Sequence, residues 1–113
     1  DMNYLQQIFD AVDTALSTDV YTISAPQGTT ADHVVIVLQG VTSNQSKDWA
    51  AGHTIAATLF FHYADADTAQ ADLATTRTSL KASNSYMESF QAFHDDINER
   101  VILAADFNLI LNT

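Results

Sequence analysis

The residues able to do chemistry in this chain are few and scattered. His94-Asp95-Asp96 sets an imidazole beside two carboxylates, a trio that could hold a divalent cation or move a proton. No further ligand clusters with it, and Asp is routine in a hairpin turn, so the trio reads as a solvated turn. The four histidines, His33, His53, His62 and His94, show neither i,i+4 pairing nor a zinc-motif context. His62 falls on an expected strand and could approach another histidine across a sheet. Ser, His and Asp all occur, but no Ser stands in a G-x-S-x-G setting. The three glycines are isolated, which excludes a phosphate-cradling loop. Asp65-Ala66-Asp67 lacks the glycine and distal Glu of a calcium loop; with Asp72 it more simply starts a helix, whose N-terminal dipole favours negative charge. No catalytic, cofactor-binding or metal-ligating residue is assigned, and the chain reads as a non-enzyme.

Composition sets the frame for any other role. At 113 residues and 47% hydrophobic, the chain suits one domain spanning 1–113, with a core thin enough to gain from burial at a subunit interface. With no cysteine, disulfides and thiolate metal sites are excluded. The longest apolar runs, such as Val34 to Leu38, are far too short to span a bilayer. The chain opens on Asp1, so an initiator Met is expected outside the numbering. Fourteen acids, twelve of them Asp, face only Lys47, Arg77, Lys81 and Arg100. A net charge of −10 argues against sequence-independent grip on nucleic acid and against an anionic membrane. It fits a soluble surface, as in a high-salt organism, or a surface that lines a DNA channel without holding the DNA.

The elements that must position these residues follow from hydrophobic spacing. Met2, Leu5, Ile8, Phe9, Val12 and Leu16 form one apolar stripe of a helix that ends at Ser17 to Asp19. Val20 to Ser24 is a short extended piece, and Ala25-Pro26-Gln27-Gly28-Thr29-Thr30 is a turn. His33 to Gln39, apolar on both faces, reads as a central strand. Gly40 to Gly52 reads as a long polar loop or hairpin arm carrying Trp49, which either caps the core edge or anchors a neighbouring subunit. Thr54 to Tyr63 alternates, with Ile55, Ala57, Leu59, Phe61 and Tyr63 facing one way and Ala56, Thr58, Phe60 and His62 the other. Asp65 or Asp67 caps a helix to about Ser83 with Ala69, Leu73, Thr76 and Leu80 inward. Tyr86 to Phe93 is a strand anchored by Tyr86, Phe90 and Phe93, and His94 to Asn98 a turn. Glu99 to Asn112 alternates clearly and spans roughly 45 Å at about 3.4 Å per residue. The expected fold is α+β: an antiparallel sheet of about four strands, order α-β-β-α-β-β, with both helices on one face. The other face carries Phe60, Ile102 and Ile110 beside His62, Asp106 and Asn108, too apolar for a freely solvated surface.

The stretch Val20-Tyr21, Ala25-Pro26-Gln27-Gly28-Thr29 and His33-Val34-Val35-Ile36-Val37 resembles the opening of the tail-terminator family. That family, also called tail-completion or minor tail proteins, occurs in long-tailed phages, archaeal tailed viruses and gene-transfer agents. The aromatic strand Thr54 to Tyr63, the helix from Asp65 to Ser83 and the closing strand from Arg100-Val101-Ile102 to Asp106-Phe107 are similar too. The resemblance covers about Leu5 to Leu111. It implies a virion protein of the tail or neck, assembled in the host cytoplasm. Such a protein forms a ring of itself, usually a hexamer, between the tail tube protein and the head-tail connector protein. DNA would pass through an acidic bore without specific binding, and no cofactor is implied. The chain departs from the family pattern in being more acidic, which a high-salt or marine host would account for. Trp49, Phe60, His62, Ile102 and Ile110 are the expected subunit or partner interface, with loop Val41 to Gly52 and the tip His94 to Asn98 reaching along the axis. Two alternatives stand beside this: another neck or tail-tube ring subunit, or a non-viral dimeric binding module.

Overall fold

Ile8, Val12 and Leu16 recur every fourth residue, so a helix through them puts all three on one side, and all three are buried. In the computed structural model, which describes residues 4–16, 18–22, 31–44, 52–81, 86–97 and 99–112, this helix is α1, Tyr4–Ala15. It is followed by β1 (Asp19–Thr22), β2 (His33–Asn44), β3 (Gly52–Tyr63), α2 (Ala66–Lys81), β4 (Tyr86–Asp95) and β5 (Arg100–Asn112).

The strands form one sheet in the order β1-β2-β3-β5-β4. The α+β class and the two helices on one face agree with the sequence reading, whereas the strand count and sheet type need correction. There are five strands rather than about four, and the sheet is mixed, because β1 pairs in parallel with β2 through Asp19↔His33 to Thr22↔Ile36. Four residues are too few for alternation to announce a strand; the neighbouring β2 edge makes β1 one. β2, β3, β5 and β4 pair antiparallel. The apolar run His33 to Gln39 lies in β2 between two other strands, which its sequence anticipated.

The polar stretch after Gly40 is partly strand. β2 continues to Asn44 against β3 back to Gly52, after a bulge between Leu38 and Gly40. Beyond the bulge β2, β3 and β5 run on together, and the molecule is correspondingly long, 52 × 24 × 21 Å. Residues 45–51, Trp49 among them, lie outside the described residues, as does the turn at 25–30.

One face of the sheet is closed by the helices. Val34, Ile36, Ile55, Leu59, Phe61, Leu103 and Phe107 are buried against Ile8 and Val12 of α1 and Ala69, Leu73 and Leu80 of α2. α2 starts where expected: Asp65 accepts the Thr68 N–H at 2.9 Å and the Thr68 hydroxyl at 2.9 Å. These bonds hold the Asp65 carboxyl below its ordinary range. The core carries one polar seam. Tyr63, fully buried, donates its hydroxyl to Asp72 Oδ2 of α2, and Thr18 donates to the same oxygen at 3.0 Å. Burial, then the bond to Asp72, pushes the Tyr63 phenol far up. Asp72 thereby fastens α2 to β3 and to the segment between α1 and β1.

Candidate functional site

The second face of the sheet carries the alternate residues of the same strands, and no helix of the described residues covers it. Strand register places Val35 of β2 opposite Phe60 of β3, and Phe60 opposite Ala104 of β5. His62 lies opposite His33 on one side and Ile102 on the other, and Ile102 in turn opposite Phe93 of β4. Phe60, His62 and Ile102 are half-buried, and Phe93 is 51% exposed.

A histidine pair sits at the β1 end of this patch. The His33 and His62 rings stack nearly parallel, with centroids 4.7 Å apart and planes 6° apart. Tyr21 of β1 meets His33 edge-on at 5.8 Å, and Phe60 stands 6.4 Å from His62 on the other side. His33 is buried, its Nδ1 donating to the carbonyl of Ala31 at 2.8 Å. Beneath the pair, Arg100 Nη2 donates to the carbonyls of Ala31 at 3.1 Å and His62 at 2.9 Å and meets the Asp32 carboxylate at 3.3 Å. Arg100 thus ties the first residue of β5 to the start of β2 and the end of β3. The His62 imidazole is held below its ordinary value, first by burial, then by His33 and Arg100, with Asp95 opposing.

Further along the face runs a polar row across four strands. Gln39 Nε2 donates to Thr58 Oγ1 at 3.1 Å, and Thr58 donates to Asp106 Oδ1 at 2.7 Å. Ser89 reaches Asp106 Oδ2 at 3.4 Å, and Asn108 Nδ2 donates to Glu88 at 2.9 Å. These groups are satisfied laterally, within the sheet, so covering the face would not strand them without partners. An apolar patch bordered by polar groups already bonded to each other suits burial by another protein surface.

Of the sequence-predicted interface residues, the structure brings Phe60, His62 and Ile102 together. Ile110 is placed by its backbone opposite Thr54, with its side chain outside the described residues, and Trp49 lies outside them altogether. Tyr86 to Phe93 is a strand as expected, and its anchors Tyr86, Phe90 and Phe93 are 53%, 47% and 51% exposed. β4 is the edge strand, so it has a neighbour on one side only. Its imperfect alternation was the available signal, since a strand with apolar residues on both faces is either central or covered by something else. At the β4–β5 turn Ile97 is 92% exposed, and Glu99 adopts a left-handed φ of 51°. His94 Nδ1 approaches Asp96 at 2.6 Å there with both side chains largely in solvent, while Asp95 accepts the Ile97 N–H at 3.1 Å. Among the described residues no group of three or more His, Cys, Asp or Glu could hold a metal ion, and no helix is long and apolar enough to cross a membrane. Sequence reading missed Tyr21 and Arg100, whose parts depend on strands meeting across long separations.

Fold and face together define a class: a mixed five-stranded sheet with two helices on one side and a partly apolar, uncovered second side. No protein-family model matches the chain, and no curated protein does. Among solved structures the architecture is similar to a chain in the virion of a native gene transfer agent particle. That match has a TM-score of 0.68 and covers 96% of this chain and 92% of the other, at 16% identity. At that identity the likeness establishes a shared fold.

Proposed function

We propose that the chain is a structural subunit of a tailed virus or gene-transfer-agent particle. More finely, we propose that it is the tail terminator: a ring, hexameric in the family it resembles, at the head-proximal end of the tail tube. There it would end tube growth and join the tail to the head connector. The observation that carries this reading is the near end-to-end structural likeness to a virion chain. The uncovered sheet face of Phe60, His62, Ile102 and Phe93 supports it, because a domain of this size gains from burying such a patch against a neighbouring subunit or partner. The charge supports it as well: at −10, a ring of these subunits would let DNA pass rather than bind its phosphates.

The same observations fit another ring subunit of the neck or tube, since the solved neighbour is described only as part of a virion. Sedimentation of the purified chain with increasing concentration, followed by electron microscopy of the largest species, tests the reading. Closed rings with a central hole are expected, and imaging of whole particles then places them at the neck or along the tube. A discrete dimer that never grows would point to a binding module instead and would end the ring reading.

A further inference from the structure

The four cations of this chain are unevenly used. Lys47 lies outside the described residues, and Arg100 is engaged with Ala31, Asp32 and His62. Arg77 and Lys81 remain, one turn apart on α2, both exposed and in no ion pair among the described residues. They line a shallow depression with Tyr86 and Met87 at the start of β4, so the only adjacent exposed cations described stand on the β4 edge of the sheet. Tyr86, the first residue of β4, is 53% exposed. Glu88, the acid nearest in sequence, is occupied by Asn108.

The opposite edge has the opposite character. β1 is the other edge strand, and its first residue, Asp19, is exposed. α1 packs beside β1 and carries exposed Asp10 and Asp13. Ala15 borders the groove between α1 and α2, and Asp13 lies about 160° round the helix from it, on the flank turned away from α2. Phe9, half-buried, precedes Asp13 by one turn on the same flank. One side of the domain thus offers two cations, and the other three acids.

We propose that copies of this chain associate head to tail through these two flanks, Arg77 and Lys81 of one copy against Asp10 and Asp13 of the next, with Asp19 at the rim. The inference rests on the ring reading above and specifies its contact. Because the two patches are different and lie on opposite edges, each contact leaves one free patch of each kind. Such a heterologous contact propagates and closes into a ring when the rotation permits. The charges fix orientation and speed encounter. Duplex DNA as the partner is disfavoured, since a chain of net charge −10 brings to its phosphates only two unengaged cations among the described residues.

The chain has no cysteine, so introduced thiols are unique. The test is cross-linking of the double variant Asp13→Cys/Lys81→Cys with a short bis-maleimide, beside each single variant. The double variant should give a ladder of covalent oligomers. Each single variant alone should stay monomeric, and an equal mixture of the two singles should stop at dimers. Arg77→Glu/Lys81→Glu should lose self-association in sedimentation and regain it when mixed with Asp10→Lys/Asp13→Lys. Dimers from one single variant would reveal an isologous contact and overturn the proposal. Rings formed by the unmodified chain without a ladder in the double variant would end it too, while leaving the ring reading intact. A chain that never assembles would end both. Retention of the unmodified chain on immobilised duplex DNA, lost with Arg77→Glu/Lys81→Glu, would reassign the two cations to phosphate.

Discussion

The two faces of the sheet are built from the same strands, residue by alternate residue, yet they have different fates. On the helix side, Ile36, Leu59 and Phe61 are completely buried; on the other side, Phe60, His62 and Ile102 are half-open. Strand propensity and local sequence do not separate them, because both sets are rich in branched and aromatic residues. The difference lies in what packs on top. Two helices finish the first face, and no helix of the described residues covers the second. Neighbouring residues of the same strand are therefore divided between a closed core and an open face.

Substitutions can break this contrast or sharpen it. The largest effect is expected from Phe61→Ala on the helix side, about 3–5 kcal/mol of unfolding free energy by urea titration, because a closed core collapses poorly around a cavity. A smaller loss, about 1–2 kcal/mol, is expected for Tyr63→Phe, which removes one donor to Asp72 and leaves Thr18 as the other. The open face should respond to pH instead. His62 titrates below its unfolded value of 6.5, so in acid the unfolded chain binds more protons than the folded one. Stability contributed by its neutral ring is present above that value and is lost as pH falls below it. Urea midpoints at about pH 7.5 and about pH 5.5 should therefore diverge less for His62→Phe than for the unmodified chain. The smallest effect on the isolated domain, about 1 kcal/mol or less, is expected for Ile102→Ser, since its site is already half-wet. Assembly through the two flanks should survive this variant; a loss of assembly in sedimentation would show that copies meet on the open face instead.

Much of this contrast was legible in the chain. The alternation of Thr54 to Tyr63 and of Val101 to Leu109 named both faces correctly, because a strand's two-residue period makes face membership a local property. The start of α2 at Asp65 was equally local, since a cap needs only the next three residues. The exposure of β4 was not legible, for the opposite reason. Tyr86, Phe90 and Phe93 are core-forming residue types, and only the strand order reveals that they stand at an edge. The idea that His62 could meet another histidine across the sheet was sound, but its partner depended on register: a shift of one residue would have put His33 on the other face.

By itself, then, the sequence determined the helices, the long strands, which side chains share a face, and the acidic excess that disfavours phosphate. Each of these is set by spacing or by charge count, and neither needs a distant contact. The tertiary structure alone decided that β1 joins in parallel, that Arg100 bridges Ala31 and His62, and that Arg77 and Lys81 lie on the opposite edge from Asp19. Those facts turn on which segments pair across tens of residues, and pairing is selected by the burial of the whole helix-covered face rather than by any one stretch of chain.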